Sequence, residues 1–273
     1  MINSISDHSC LSSIATIAVI DSGVNVEKLP PGTVVLPGIN LSGEGDETDI
    51  ADHSGHGTAV SATILSVAPA ARLLPVKLMD RRGALRDKSQ IDTAFAWILA
   101  NAARFGIGVV CAAFADSSHR VSDEALRGTP AQRHIAALLA SGILTVTAAG
   151  NWYPEHRSRS LHGMAWPAII RETVSVGALA DMEEGVGLAK ASQRLHASLN
   201  TGCSTTFFAL PGEPGMTSGA AAAVTGCFAA VRQAYPEEAG TRLLQRLRAG
   251  CDELIDENGL SWPVVSPLDL PLG

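Results

Sequence analysis

Three short segments carry residues able to act together on a carbonyl carbon. Asp21, followed by Ser22 and Gly23, ends an apolar run in a carboxylate; His56 stands between Gly55 and Gly57; Ser218, after Met216 and Thr217, opens a stretch rich in alanine. A serine hydroxyl is a poor nucleophile near neutral pH. It becomes effective when an imidazole takes its proton and a carboxylate holds that imidazole in the right tautomer. Asp21, His56 and Ser218 are therefore the candidate catalytic residues, and the chemistry they would share is acyl transfer. Taken singly, each also has a plain structural use: a turn, a helix cap and the start of a small-residue helix.

Such residues need a frame that brings strand ends and helix starts together. Short apolar runs alternate here with longer helical stretches, the pattern of βαβ units around a parallel sheet. Residues 17–20 predict a buried strand that delivers Asp21 at its end, and a helix is expected to start near His56. Residues 73–78 predict a second strand, broken at Pro75. Residues 89–104 predict a helix with Ile91, Phe95, Ile98 and Ala102 on one face, stopped by Gly106. Further strands are expected at 107–114, 143–149 and 174–179, and a helix at 123–141. Residues 218–233 are apolar on every side, which predicts a helix buried inside the domain and ended by Pro236. Residues 241–249 read as a surface helix. One domain over residues 14–260 is expected, with an N-terminal tail at 1–13 and an irregular Pro-rich tail at 261–273.

Composition narrows the function classes. With 273 residues, 46% of them hydrophobic, the chain can bury a large core in one domain. Its net charge of -7 and lack of a basic stripe argue against a nucleic-acid partner. The arginines at 81–82 and between 242 and 248 read as solvated faces. The cysteines, Cys10, Cys111, Cys203, Cys227 and Cys251, are odd in number and widely spaced, so reduced thiols are expected. No secretory signal or membrane-spanning run is legible, which gives the expectation of a cytoplasmic protein without a membrane partner. The remaining histidines lack metal-ligand spacing, and neither a metal nor a cofactor is expected. The acidic cluster of Glu44, Asp46, Glu47, Asp49 and Asp52 reads as a solvated loop rather than a cation site.

The order Asp21, His56, Ser218 along the chain resembles that of the subtilisin-like serine proteases, the subtilase family. The resemblance extends from about Ile14 to about Cys251 through Val67, Ala68 and Pro69, through Trp97, and through Trp166, Pro167 and Ala168 ahead of residues 174–177. It implies an α/β, three-layer fold with a mostly parallel central sheet flanked by helices. It also implies an endopeptidase acting on a protein or peptide substrate through an acyl-enzyme on Ser218. Asn151, reached through Ala148, Ala149 and Gly150 after an apolar strand, matches the family's oxyanion-hole asparagine, with the Ser218 N–H as second donor. Ala113, Phe114 and Ala115 match the substrate-binding strand, which an extended peptide would join by main-chain bonds. Together with Ala148, Ala149 and Gly150 they are the expected substrate-binding residues.

The departures from the family pattern bear on function. Met216 stands where the family has a glycine, and a strand and loop usually found just before it are missing. The loop that often binds calcium after the His56 helix is also missing. Phe114 either narrows a side-chain pocket or belongs to the core. Arg157 and Arg159, with His156 and His162, follow Asn151 where the family shapes its main specificity pocket, which suggests acidic substrates. The chain starts close to its first core strand, leaving no room for a propeptide, so narrow specificity or an activating or inhibiting protein partner is expected. Two rival readings use the same residues: a catalytically impaired relative that binds a peptide or partner, and a transpeptidase in which an amine replaces water.

Overall fold

The structure, a computed structural model, describes residues 14–183 and 185–272. Strand β1 (Thr16–Asp21) is buried at every position, so both of its faces must be covered. Ile17 and Val19 pack with α1 (His56–Val67) and α5 (Met216–Ala234), whereas Ala18 and Ile20 pack with α2 (Ser89–Phe105) and α3 (Pro130–Ala140). This alternation produces three layers with the sheet in the middle. Burying Ile91, Phe95 and Ile98 of α2 contributes about 1.5–3 kcal/mol each. Gly106 ends that helix in the left-handed region, φ 62°, as its position after the last apolar turn predicts.

On one side β1 pairs in parallel with β4 (Arg72–Lys77), which also carries β2 (Val34–Val35) and β3 (Ile39–Asn40). On the other side follow β5 (Ile107–Ala112), β6 (Leu144–Ala148), β7 (Val174–Met182) and β9 (Phe207–Ala209), all parallel. Beyond β9 lie β11 (Ser261–Val264) and, at the edge, β10 (Asp252–Ile255); β8 (Gly185–Leu188) folds back antiparallel on β7. The chain leaves β1 toward β4 and then crosses to β5. The carboxyl end of β1 is thus a switch point of the kind where open parallel sheets form a crevice, and Asp21 occupies it.

The buried helix α5 fits beneath the sheet because its small residues let it lie against β5, β6 and β7 as well as α1. It starts at Met216 rather than Ser218, and α6 (Gly240–Ala249) covers the sheet beside it. Pro75 does not break β4. It stands opposite Val19 in the ladder with β1, while its nitrogen and carbonyl face Gly38 between β2 and β3, where no ladder donor is needed. The helix expected at 123–141 splits into a single 3-10 turn at 124–126 and α3, because Gly128, at φ 74°, turns the chain before Pro130 restarts it. The C-terminal stretch is not an irregular tail: Ser261–Val264 forms β11, and Trp262 is fully buried against Phe208. Cys111, Cys203, Cys227 and Cys251 carry no disulfide, and burial pushes the Cys111 and Cys227 thiols up to about 12; Cys10 lies outside the described residues.

Candidate active site

Asp21 is fully buried at the end of β1, and His56 is the first residue of α1. The His56 Nδ1 lies 2.7 Å from Asp21 Oδ1 and 2.9 Å from Oδ2. A carboxylate only accepts, so Nδ1 carries the proton and Nε2 keeps its lone pair. Burial pulls the His56 pKa down, but the hydrogen bond that Nδ1 donates to Asp21 and the charges of Asp21 and Asp52 outweigh it and raise the pKa above the usual imidazole value. Gly57 permits the close approach, because a methyl there would stand 2.3 Å from Gly23 O and 3.1 Å from Asp21 Oδ1.

A second carboxylate organises this corner. Asp52 is buried, not solvated as its cluster suggests. Its Oδ1 accepts from Ser22 Oγ at 2.9 Å, Ser54 N at 3.0 Å and Gly55 N at 2.9 Å, and its Oδ2 from Thr58 N at 2.9 Å and Thr58 Oγ1 at 2.6 Å. Burial raises its pKa, yet these donors, Thr58 foremost, bring it below the usual carboxylate value. Ser22 closes the lattice: its N–H donates to Asp21 Oδ1 at 2.7 Å and its Oγ accepts from Gly57 N at 2.9 Å. An acid a few residues ahead of a helix start was the legible signal for Asp52. Glu44 also leaves the acidic cluster, pairing with Arg86 and with Arg81 at 3.8 Å.

Ser218 lies in the first turn of α5, where amide N–H groups have no acceptor in their own helix. Its hydroxyl donates to Ala113 O at 2.8 Å and makes no hydrogen bond to His56. Just before it, Thr217 donates from N at 3.2 Å and from Oγ1 at 2.7 Å to Asn151 Oδ1. With Oδ1 so occupied, the Asn151 amide nitrogen is the group left to act as donor. Met216, half exposed, takes φ 50° and is the only non-glycine with a positive φ among the described residues.

A cleft of about 400 Å³ gathers His56, Ser218 and Asn151 with Ala113, Phe114, Ala115 and Ala148. Ser54, Met79, Arg82, Gly83, Trp152 and Thr217, which sequence reasoning missed, also line it. Ala149 and Gly150 do not line it: Ala149 is core, and Gly150, at φ 109°, lies over Gln193. Phe114 serves both proposed roles, since it packs against Trp166 and walls the cleft. The residues on which the acidic-substrate expectation rests lie away from the cleft. The short helix α4 (Tyr153–His156) carries the chain away, so Arg157 lines a separate hollow beside Leu188 and Leu254, and no residue from 156 to 162 lines the cleft. An apolar recess of about 330 Å³ adjoins instead, sharing Met79, Phe114 and Trp152 and adding Leu78, Leu85, Ile91 and Trp166.

Comparison with known proteins agrees with this fold. The subtilase family profile matches residues 13–248, most of the chain. Similar solved structures include a lanthipeptide protease, 18% identical with TM-score 0.71, covering 94% of this chain and 86% of that one. A cold-adapted subtilisin-like serine proteinase is 20% identical with TM-score 0.71, covering 93% and 89%, and sphericase is 20% identical with TM-score 0.70, covering 86% and 82%. No curated protein sequence matches the chain. The chain belongs to the subtilase family and is a serine protease.

Proposed function

We propose that the protein is an endopeptidase that cleaves a narrow set of protein or peptide substrates through an acyl-enzyme on Ser218. The observation that carries this reading is the His56 ring, clamped by Asp21 at Nδ1 with Nε2 free beside the cleft that holds Ser218 and Asn151. An extended peptide lies along residues 113–115, and one of its amide N–H groups takes the Ala113 carbonyl. The Ser218 hydroxyl, released from that carbonyl, turns to His56. As Oγ bonds to the substrate carbonyl carbon, its proton passes to His56 Nε2, and Asp21 supports the resulting imidazolium. The developing oxyanion takes hydrogen bonds from Asn151 Nδ2 and Ser218 N–H.

Collapse of the intermediate breaks the C–N bond, and His56 gives its proton to the leaving amine. Water, deprotonated by the same histidine, then attacks the acyl group and frees Ser218. The apolar recess beside Phe114 and Trp166 favours substrates with a large apolar side chain upstream of the scissile bond. Aromatic walls at Phe114 and Trp152 support narrow selectivity, which rapid digestion of casein by the isolated chain would refute.

The direct test is intact-mass spectrometry after treatment with a fluorophosphonate. A single adduct is expected on the native chain and none on Ser218→Ala, whose turnover should fall by about 10⁶. Folded native protein that takes no adduct overturns the reading.

A further inference from the structure

Gln193 is wholly buried beneath the turn that carries Asn151, outside any segment the catalytic motifs mark. Its backbone N–H donates to Gly150 O at 2.8 Å, and its side-chain Oε1 accepts from Trp152 N at 3.4 Å, so it grips the turn on both sides of Asn151. Its Nε2 donates to Ser118 O and to His119 Nδ1, each at 2.8 Å. These partners settle the orientation of the amide, since a peptide N–H only donates and a carbonyl only accepts. They also fix the His119 tautomer: Nδ1 accepts, and Nε2 donates to Ser160 O at 3.2 Å. Burial first, and then the neighbouring His156 stacked at 4.7 Å, lower the His119 pKa and keep that ring a neutral acceptor near pH 7.

The two groups of contacts belong to opposite walls of the cleft. Gly150 and Trp152 flank Asn151; Ser118 and His119 continue the segment that begins at Ala113, and Ser118 Oγ with Asp116 holds Trp166 N. We infer that Gln193 is a positioning residue that sets the spacing between the Asn151 wall and the 113–119 wall, and so the placement of the oxyanion donor. Only a side chain with both a donor and a strong acceptor reaches both walls: a carboxylate loses the donor, and a thioether loses the donor and keeps only a weak acceptor. Gly150 completes the fit, because a methyl there would stand 2.2 Å from Gln193 Oε1. Catalytic donors must be held within about 0.5 Å of the productive position, which is why a buried brace outside the cleft affects rate.

The inference rests on the reading of Asn151 as oxyanion donor, and a double-mutant cycle on the full chain tests the two separately. The second-order rate of fluorophosphonate adduct formation is followed by intact mass. Asn151→Gly should slow it by about 10²–10³. Gln193→Met should slow it about tenfold with Asn151 present and less than twofold in the Asn151→Gly background. An equal loss in both backgrounds overturns the positioning role. An Asn151→Gly rate equal to that of the native chain overturns the oxyanion reading and the inference with it. Should Gln193→Met not fold, His119→Phe carries the same test: it keeps a planar aromatic ring, removes the Nδ1 acceptor, and should cost about threefold only while Asn151 is present.

Discussion

Around His56, the side chains of Asp21, Ser22, Asp52 and Thr58 hold one another and bind the backbone of residues 54–58. Around Ser218, the start of α5 is tied by two bonds from Thr217 to Asn151 and one from Ser218 to Ala113, and it is entered through a methionine in a left-handed conformation. On the proposed assignment, the acid–base half is therefore complete before a substrate arrives. The nucleophile half waits, with its hydroxyl bonded to a carbonyl that a peptide would claim. Under that assignment, one cleft holds its proposed proton acceptor firmly and leaves its proposed nucleophile at rest.

The strongest challenge to this contrast is Asp21→Asn, which keeps the shape but removes the charge and favours the wrong tautomer. Turnover should fall by about 10⁴. Activity in the native chain should rise with pH as His56 loses its proton, with the midpoint above the ordinary imidazole value of about 6.5. In Asp21→Asn that midpoint should move to lower pH; a pH–rate profile with an unmoved acid limb would break the account of the acid–base half.

Asp52→Ala tests the lattice as structure rather than chemistry. It leaves buried donors on Ser22, Gly55 and Thr58 without an acceptor, costing about 3 kcal/mol and lowering the melting temperature by roughly 10 °C. Because the folded-state pKa of Asp52 lies below the unfolded value, its stabilisation is present above about pH 4 and fades as pH falls through the folded value. Thermal melts of the two proteins should accordingly converge in acid, and a constant gap would sink the assignment to charge.

The smallest effect is expected at Met216→Gly. Releasing the left-handed methionine gains about 1–2 kcal/mol, partly offset by the greater freedom of glycine in the unfolded chain, for a net rise of about 2 °C in melting temperature. A drop of several degrees would mean that the methionine side chain packs usefully, and the nucleophile half would be sturdier than described.

The parts legible in the sequence are those written locally. Asp21 ends an apolar strand, His56 begins a helix, Ser218 opens an alanine-rich one, and Asn151 follows a glycine after a buried strand; each signal fits within a few residues. The lattice at Asp52 joins Ser22 across 30 positions, and Gln193 reaches Ser118 across 75, so beyond the placing of an acid ahead of a helix start no local pattern announces these contacts. Pro75 misled because its effect depends on which neighbour faces its nitrogen, a fact of sheet order. The arginines after Asn151 misled for a similar reason: proximity in sequence placed them at the cleft, and α4 takes them elsewhere.

The family match ends at residue 248, but the sheet does not. β11 pairs with β9, β10 pairs with β11, and Trp262 covers Phe208 while its Nε1 donates to Asp256 at 3.0 Å. A chain trimmed at the family boundary would turn β9 into an open border, with unpaired backbone groups beside a bared aromatic ring, the combination that templates aggregation. The stretch that the family profile matches is thus shorter than the stretch that closes this edge of the sheet.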